Sequence, residues 1–288
     1  SQQFNVISEG IKKGAEIIAV TSSEKSFEKL SQAGAAPVLA NLADAQKMME
    51  ITKGIDAIAF LVPASLPNPF DGLTYAKNVI DAAKANGVKK IVWNVSGFFV
   101  PQKIGIPTED IKLDIRDYLI NSGLNYIIIQ PSIYMENMMG PFCAPFVKNE
   151  KKLAYPTPEI MPIGWIASRD VSAFVVEAIY NETLIAESFQ ISGLENLKGN
   201  GLAEQFSKGV GEEIVYYTQP AKEFGDILRP WIGEEGAAGV AAYYNGLQNS
   251  TEFPPKFNPN MSKVLEILPV QMTSLAQWAK QNKEYFFN

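Results

Sequence analysis

An α/β fold, with a doubly wound parallel sheet and a smaller irregular lobe, is what this 288-residue chain predicts. Three observations lead there. Short apolar runs alternate with amphipathic stretches through the first half of the chain. The runs are apolar on both faces, as strands of a covered parallel sheet are, and the stretches between them suit crossover helices of roughly 10 to 15 residues. Such crossovers are right-handed, and ligands of such folds sit in the crevice beyond the C-terminal strand ends.

Taken in order, Phe4 to Lys13 reads as a helix stopped by Gly14, where glycine can take the left-handed cap. Glu16 to Thr21 is a buried strand, Ser26 to Ala33 a helix with Phe27 and Leu30 on one face, and Ala36 to Ala40 a short strand. Ala43 to Thr52 is helical through Met48, Met49 and Ile51, and Asp56 to Val62 is a strand closed by Pro63. A helix from Thr74 to Ala85 ends at Asn86 and Gly87, and Lys90 to Ser96 is a strand. Glu109 to Ser122 is a helix ended by Gly123, and Tyr126 to Gln130 is the next strand.

After Pro131 the texture changes, and Met135 to Pro162 is rich in Met, Pro and aromatics with weak periodicity. Asp170 to Tyr180 is a helix through Val171, Phe174, Val175 and Ala178, and Ser188 to Ser192 a strand. A mixed region with Pro220, Pro230, Pro254 and Pro255 precedes a last helix near Ser274 to Lys283. The division that follows is a main domain over residues 1–134, completed by 165–195. The lobe takes 135–164 and 196–288, ending in the C-terminal helix.

Composition excludes several classes. The formal net charge is −6 without clustered Lys or Arg, which argues against a nucleic-acid partner. Histidine is absent, which removes a Ser-His-Asp hydrolase and any His-based metal site, and no metal is expected. The longest apolar runs, such as Ala57 to Val62, are strand-sized and well short of the roughly 20 residues of a membrane helix. With Cys143 alone no internal disulfide forms, Cys143 reads as a buried small apolar residue, and a reducing cytoplasm is the expected compartment. No signal peptide is visible, and Ser1 in place of Met suggests a trimmed start.

A doubly wound domain needs a first strand and a glycine-rich turn ahead of its first helix, whose N-terminal N–H groups and dipole favour anions. Ser1-Gln2-Gln3 occupies the place where that turn should end. Either the strand and its glycines were lost from this chain, the preferred reading, or the protein lacks them.

The most specific stretch is Asp114 to Asn137, which holds Ser122-Gly-Leu-Asn-Tyr126 and Gln130-Pro-Ser-Ile-Tyr-Met-Glu-Asn137. With Asn86 to Val92 and Pro269 to Trp278, it resembles the NmrA-like family of atypical short-chain dehydrogenases, with Gln130 where the family usually has Arg. The family includes isoflavone-reductase-like enzymes, triphenylmethane reductase and NADPH-sensing regulators. The resemblance covers nearly the whole chain and implies a Rossmann-type, NAD(P)-binding domain with the coenzyme across the strand ends.

Carried over by position, the resemblance puts Gln2 and Gln3 beside the diphosphate, with Gln3 where the third glycine is expected. Thr21, Ser22, Ser23 and Lys25 fall at the adenine ribose. No acidic residue ends that strand, so NADP(H) is favoured over NAD(H), although an ordinary polar strand end with a helix N-cap is an equal reading. Asn41 and Leu42 fall near the adenine. Val62, Pro63 and Ser65, with Asn94, Ser96 and Gly97, flank the nicotinamide, and Pro131, Ser132, Tyr134 and Asn137 follow the next strand.

Short-chain dehydrogenases use Tyr-x-x-x-Lys, where a spacing of four puts both side chains on one helix face. Here the fragment is Thr108-Glu-Asp-Ile-Lys112, and Thr is no proton donor of comparable acidity. Lys112 matches the lysine that relatives retain to bind the nicotinamide ribose and orient a carbonyl, or is a solvated helix-surface lysine; Tyr134 is the other catalytic candidate, or a core residue. Phe98, Phe99, Met135, Met138, Met139, Phe142, Phe146, Trp165 and Trp231 suit a flat hydrophobic or aromatic substrate, or are packing residues. The expected function is an NAD(P)H-dependent reductase (an oxidoreductase) passing hydride to a quinone-like, dye-like or enone acceptor, as a monomer or homodimer. The alternatives are a non-catalytic NAD(P)-sensing regulator and a degenerate fold without coenzyme.

Overall fold

The computed structural model describes residues 4–63, 66 and 68–287. In chain order the elements begin α1 (Phe4–Lys12), β1 (Ile18–Thr21), α2 (Phe27–Gln32), β2 (Ala36–Leu39), α3 (Ala45–Ile51), β3 (Ala57–Phe60), α4 (Asp71–Ala85), β4 (Lys90–Asn94), α5 (Pro107–Asn121) and β5 (Tyr126–Pro131). They continue with α6 (Ala144–Glu150), β6 (Lys152–Tyr155), β7 (Ile163–Gly164), α7 (Ser168–Tyr180), β8 (Glu187–Ile191) and β9 (Asn196–Leu197). The last are α8 (Gly199–Val210), β10 (Val215–Thr218), α9 (Ala221–Gln248), α10 (Ser262–Ile267), α11 (Leu275–Gln281) and α12 (Lys283–Phe287). Two compact units share the chain: residues 1–131, 169–190 and 263–270 form one, and 132–168, 191–262 and 271–288 the other.

In the first unit β1 pairs with β2 in parallel, and a second sheet runs β3-β4-β5-β8 with β3, β4 and β5 parallel. This is the α/β class with a parallel sheet that the apolar runs predict. Every residue of β4 is buried. Ile91, Trp93 and Ile128 pack with Phe60 against Val79 and Ile80 of α4 and Ile115 and Leu119 of α5. The period of two turns Val92, Ile127 and Ile129, also buried, to the opposite face.

Lys90 belongs to that buried strand because its ammonium reaches the Ala178 carbonyl at 3.0 Å and that of Asn181, where α7 ends. Carbonyls at a helix C-terminus are where a cation is favoured. Burial nevertheless holds the Lys90 pKa below its ordinary value.

Two expectations are corrected here. The strand at Glu16 to Thr21 is narrower than expected and half-exposed, with Ile18 and Val20 open to solvent, because among the described residues β1 is paired on one side only. The helix expected from Glu109 starts at Pro107, where proline's fixed φ and missing N–H suit a first helical position. The glycine turn expected at Ser1, Gln2 and Gln3 lies outside the described residues, as does Ser65.

In the second unit β6 pairs with β10 in parallel and β7 with β9 antiparallel. The region expected to be irregular is largely helical. α9 is in fact two helices folded back on each other about Gly233, whose φ of 73° only glycine takes comfortably. Gly225 of the first half lies so close to the second that a Cβ there would stand 2.7 Å from the Ala237 carbonyl oxygen. Phe224 and Tyr244 meet across the hairpin at 5.2 Å between ring centroids. Trp231 and Ile232 sit exposed at its tip, and Arg229 bridges the break to Glu234 at 3.1 Å. Small Gly and Ala side chains hold this pair together, and they leave little helical hydrophobic period in the sequence. Among the described residues no helix is long and apolar enough to cross a membrane.

Candidate functional site

Parallel strands end together, so their C-terminal ends bring sequence-distant loops to one rim of the first unit. Past β4 the chain must turn sharply. Asn94, buried, accepts the Ser96 N–H on Oδ1 at 2.8 Å, and Ser96 takes a left-handed φ of 57°. A non-glycine residue there is strained, and the asparagine side chain offsets that by satisfying the turn's own N–H. Gly97 follows. The Lys112 Nζ lies 3.8 Å from where a Cβ on Gly97 would stand, so the turn passes directly beside the ammonium.

Lys112 is presented by α5, whose apolar face buries Ile111, Ile115 and Leu119 as expected. Its ammonium holds both oxygens of Glu109, at 3.0 and 3.1 Å, one helical turn earlier. Asp110 accepts the N–H groups of Ile104 and Gly105 at 2.7 and 2.9 Å, which fixes the entry into α5. Thr108 lies in the first turn of α5.

Behind the turn, the Gln130 Oε1 accepts the Phe99 N–H at 3.1 Å while its Nε2 donates to the Ser188 hydroxyl at 2.9 Å. The Phe99 ring packs 5.6 Å from that of Trp93, with the Arg116 guanidinium 5.5 Å over it.

At the β1 end, the Thr21 hydroxyl accepts the Ser23 N–H at 3.3 Å. Ser23 makes no side-chain cap to the 3-10 turn that follows, so the N-cap expected of that segment is not made by its hydroxyl. Ser22 and Lys25 are exposed. At the β2 end the Asn41 side chain accepts the Ala43 N–H at 2.9 Å, and the Leu42 carbonyl accepts from Asn78 at 2.8 Å. Val62 and Pro63 follow β3 as irregular chain.

Pro131 closes β5; Ser132, Tyr134 and Asn137 belong to the second unit. The Ser132 hydroxyl donates to the Gly164 carbonyl, and Tyr134 is buried in a parallel bridge with Ile166. Asn137 donates to the Tyr155 hydroxyl at 3.1 Å. Glu136, between them, accepts the Ser168 N–H at 3.0 Å, the Ser168 hydroxyl at 2.8 Å and the Trp278 indole N–H at 3.2 Å.

Met135, Met138 and Trp165 are buried, and Phe142 stacks edge-on with Phe224 at 4.7 Å, so these serve packing, while Trp231 faces solvent. Cys143 is fully buried, as expected, and burial pushes its thiol up to about 12 from an ordinary 9.0. Burial likewise pushes the Tyr155 hydroxyl up to about 12 from 10.0. Both acids keep their protons in the fold when the unfolded chain would lose them. Their contribution is therefore full below about pH 9 and is lost as pH rises from there toward 12. The expected result is a thermal midpoint flat below about pH 9 that falls steadily above it, with Cys143→Ala delaying the fall. Melts that stay level to about pH 11 would contradict this origin.

Among the described residues no group of His, Cys, Asp and Glu could hold a metal. The sequence did not single out Glu109, Asp110 or Glu136; for Glu109 the i, i+3 spacing to Lys112 was the available signal.

The profile of the NmrA-like family matches residues 1–279. Photosystem II assembly factor Ycf39 of Synechocystis sp. is 24% identical over 195 residues, which cover 65% of this chain and 58% of that protein. The chain thus spans less than two-thirds of that relative's length. Triphenylmethane reductase of Citrobacter sp., solved with NADP(H), has a TM-score of 0.77 at 14% identity, covering 98% of this chain and 96% of that one. The NADPH-dependent quinone oxidoreductase of Escherichia coli, solved with NADPH, has a TM-score of 0.73 at 17% identity with the same coverage. At these identities the solved structures speak for the fold.

Proposed function

The chain belongs to the NmrA-like family, and from that premise we propose that it is an NAD(P)H-dependent reductase passing hydride to a quinone-like, dye-like or enone acceptor. The observation that carries this reading is the Lys112 ammonium held beside the Asn94–Gly97 turn at the β4 end. An ammonium and a turn fixed by a buried side chain suit the ribose and carboxamide of a nicotinamide. The hydroxyls of Thr21, Ser22 and Ser23 with Lys25 would hold the adenine ribose, Asn41 and Leu42 the adenine, and Val62 and Pro63 the middle of the coenzyme. The bound coenzyme supplies the hydride.

Lys112, which now pairs with Glu109, would exchange part of that pair for the nicotinamide ribose hydroxyls or the acceptor oxygen. The Asn94–Gly97 turn would line the nicotinamide side of the coenzyme. Tyr134 and Asn137 are proposed as substrate-side residues of the second unit. Thr108 offers no acidic proton, which favours acceptors that need little acid help, such as quinones, over simple ketones. The same threonine favours a second reading, a coenzyme sensor without turnover. Steady NADPH oxidation with a panel of quinones and triphenylmethane dyes tests the first reading. Coenzyme binding without any oxidation would leave the sensor, and no binding at millimolar coenzyme would remove both.

A strand end without a carboxylate favours NADP(H). Replacing Ser22 and Ser23 together by Asp is expected to shift the NADPH-to-NADH affinity ratio about tenfold toward NADH, or ~1.4 kcal/mol. Equal losses with both coenzymes would sink the assignment of the 2′-phosphate to this end.

A further inference from the structure

Gln130 stands near the end of β5, buried. Its two side-chain bonds run in opposite senses. The Oε1 accepts the Phe99 N–H at 3.1 Å, and the Nε2 donates to the Ser188 hydroxyl of β8 at 2.9 Å. Arginine could copy only the second, because a guanidinium has donors and no acceptor. The acceptor half is what reaches the turn after β4. Phe99 closes that turn, its ring held against Trp93 at 5.6 Å and under Arg116 at 5.5 Å. Two residues earlier comes Gly97, against the Lys112 Nζ, and before it the left-handed Ser96.

The turn is thus tied at both ends: by Asn94 at its start and by Gln130 at its close. Asn94 satisfies the strained N–H locally. Gln130 holds the Phe99 N–H from β5.

We propose that Gln130 is a positioning residue of the coenzyme rim, holding the Ser96–Phe99 segment against Lys112 through its acceptor oxygen. The proposal rests on the reductase reading for its functional half, whereas the clamp itself does not. It also makes Gln and Arg non-equivalent at this position, because only the amide offers an acceptor.

Three variants of the full chain test this. Gln130→Met keeps similar bulk and removes both bonds, Gln130→Arg supplies donors only, and Ser188→Ala removes the donor's partner while leaving the Phe99 bond. Amide hydrogen exchange of residues 96–99 is compared in all three without coenzyme, and NADPH affinity is then titrated. Exchange is expected to rise at least tenfold, and NADPH affinity to fall at least fivefold, in Gln130→Met and Gln130→Arg. Ser188→Ala is expected to stay within twofold on both. Adding Lys112→Ala to Gln130→Met should cost little further affinity, because both act at one place; a purely structural Gln130 would give additive losses.

Unchanged exchange in Gln130→Met, wild-type behaviour of Gln130→Arg, or equal damage from Ser188→Ala would each overturn the proposal. A wild-type chain that answers to no coenzyme overturns the reductase reading and the functional half together. The exchange comparison, which uses no coenzyme, still decides the clamp.

Discussion

Replacing Glu136 by alanine is expected to lower the thermal midpoint by about 5–10 °C, the largest stability effect of any single substitution considered. One carboxylate there serves three donors: the Ser168 N–H, the Ser168 hydroxyl and the Trp278 indole N–H. Ser168 and Trp278 are both buried, so truncation takes the carboxylate from donors with little access to solvent. A donor stranded in that way costs about 1–3 kcal/mol, and two of them bring the total to roughly 2–4 kcal/mol once relaxation is allowed. Ser168 also opens α7, whose first N–H groups have no partners within the helix. Glu136→Gln keeps one acceptor oxygen and should lose about half as much. Calorimetry at neutral pH checks both; a midpoint within about 1 °C of wild type for the alanine variant would show that the three bonds contribute nothing net.

Lys112→Ala is expected to act the other way round, on turnover and hardly on stability. Its ion pair with Glu109 is partly open to solvent, with 22% and 31% of the two side chains exposed. Pairs of that kind are worth about 0–1 kcal/mol. Removing the ammonium from the rim should lower kcat/KM for NADPH-dependent reduction at least tenfold, about 1.4 kcal/mol on the barrier. Because Glu109 loses its partner at the same time, Lys112→Ala/Glu109→Ala separates the two causes. If a repelling carboxylate is responsible, the double variant recovers; if the ammonium is needed, it does not. Unaltered kinetics in Lys112→Ala would remove that residue from the mechanism.

How much of this could be read from the chain follows from where each signal lives. Strands β4 and β5 were plain because both of their faces are covered, which leaves uninterrupted apolar runs. Gly87 and Gly123 marked helix ends correctly because the left-handed turn they make is a local property of the backbone. The hairpin of α9 and the helix α8 were missed for the opposite reason. Gly199 and Gly209 weaken a helix on propensity alone, yet one lies flat on Tyr216 and the other on α11 at Ala276 and Ala279, so packing overrides preference. Lys112 entered through the resemblance, four residues after Thr108, and α5 sets it beside the turn after β4. The bonds of Gln130 reach 31 and 58 residues along the chain, and no local pattern encodes such a reach. Glu136 was quoted in a signature, but its partner Trp278 is 142 residues away.

Of the four tryptophans, Trp93, Trp165 and Trp278 are at most 3% exposed, whereas Trp231 at the hairpin tip is 61% exposed. Ultraviolet emission therefore separates by solvent access without any label. Iodide, which cannot enter a packed interior, will extinguish the long-wavelength light of the tip and spare the rest. What survives includes Trp93, one residue before Asn94, and tryptophan emission overlaps the absorption of a reduced nicotinamide. The chain carries its own donor beside the rim and its own reporter on the hairpin, and a salt titration is enough to tell them apart.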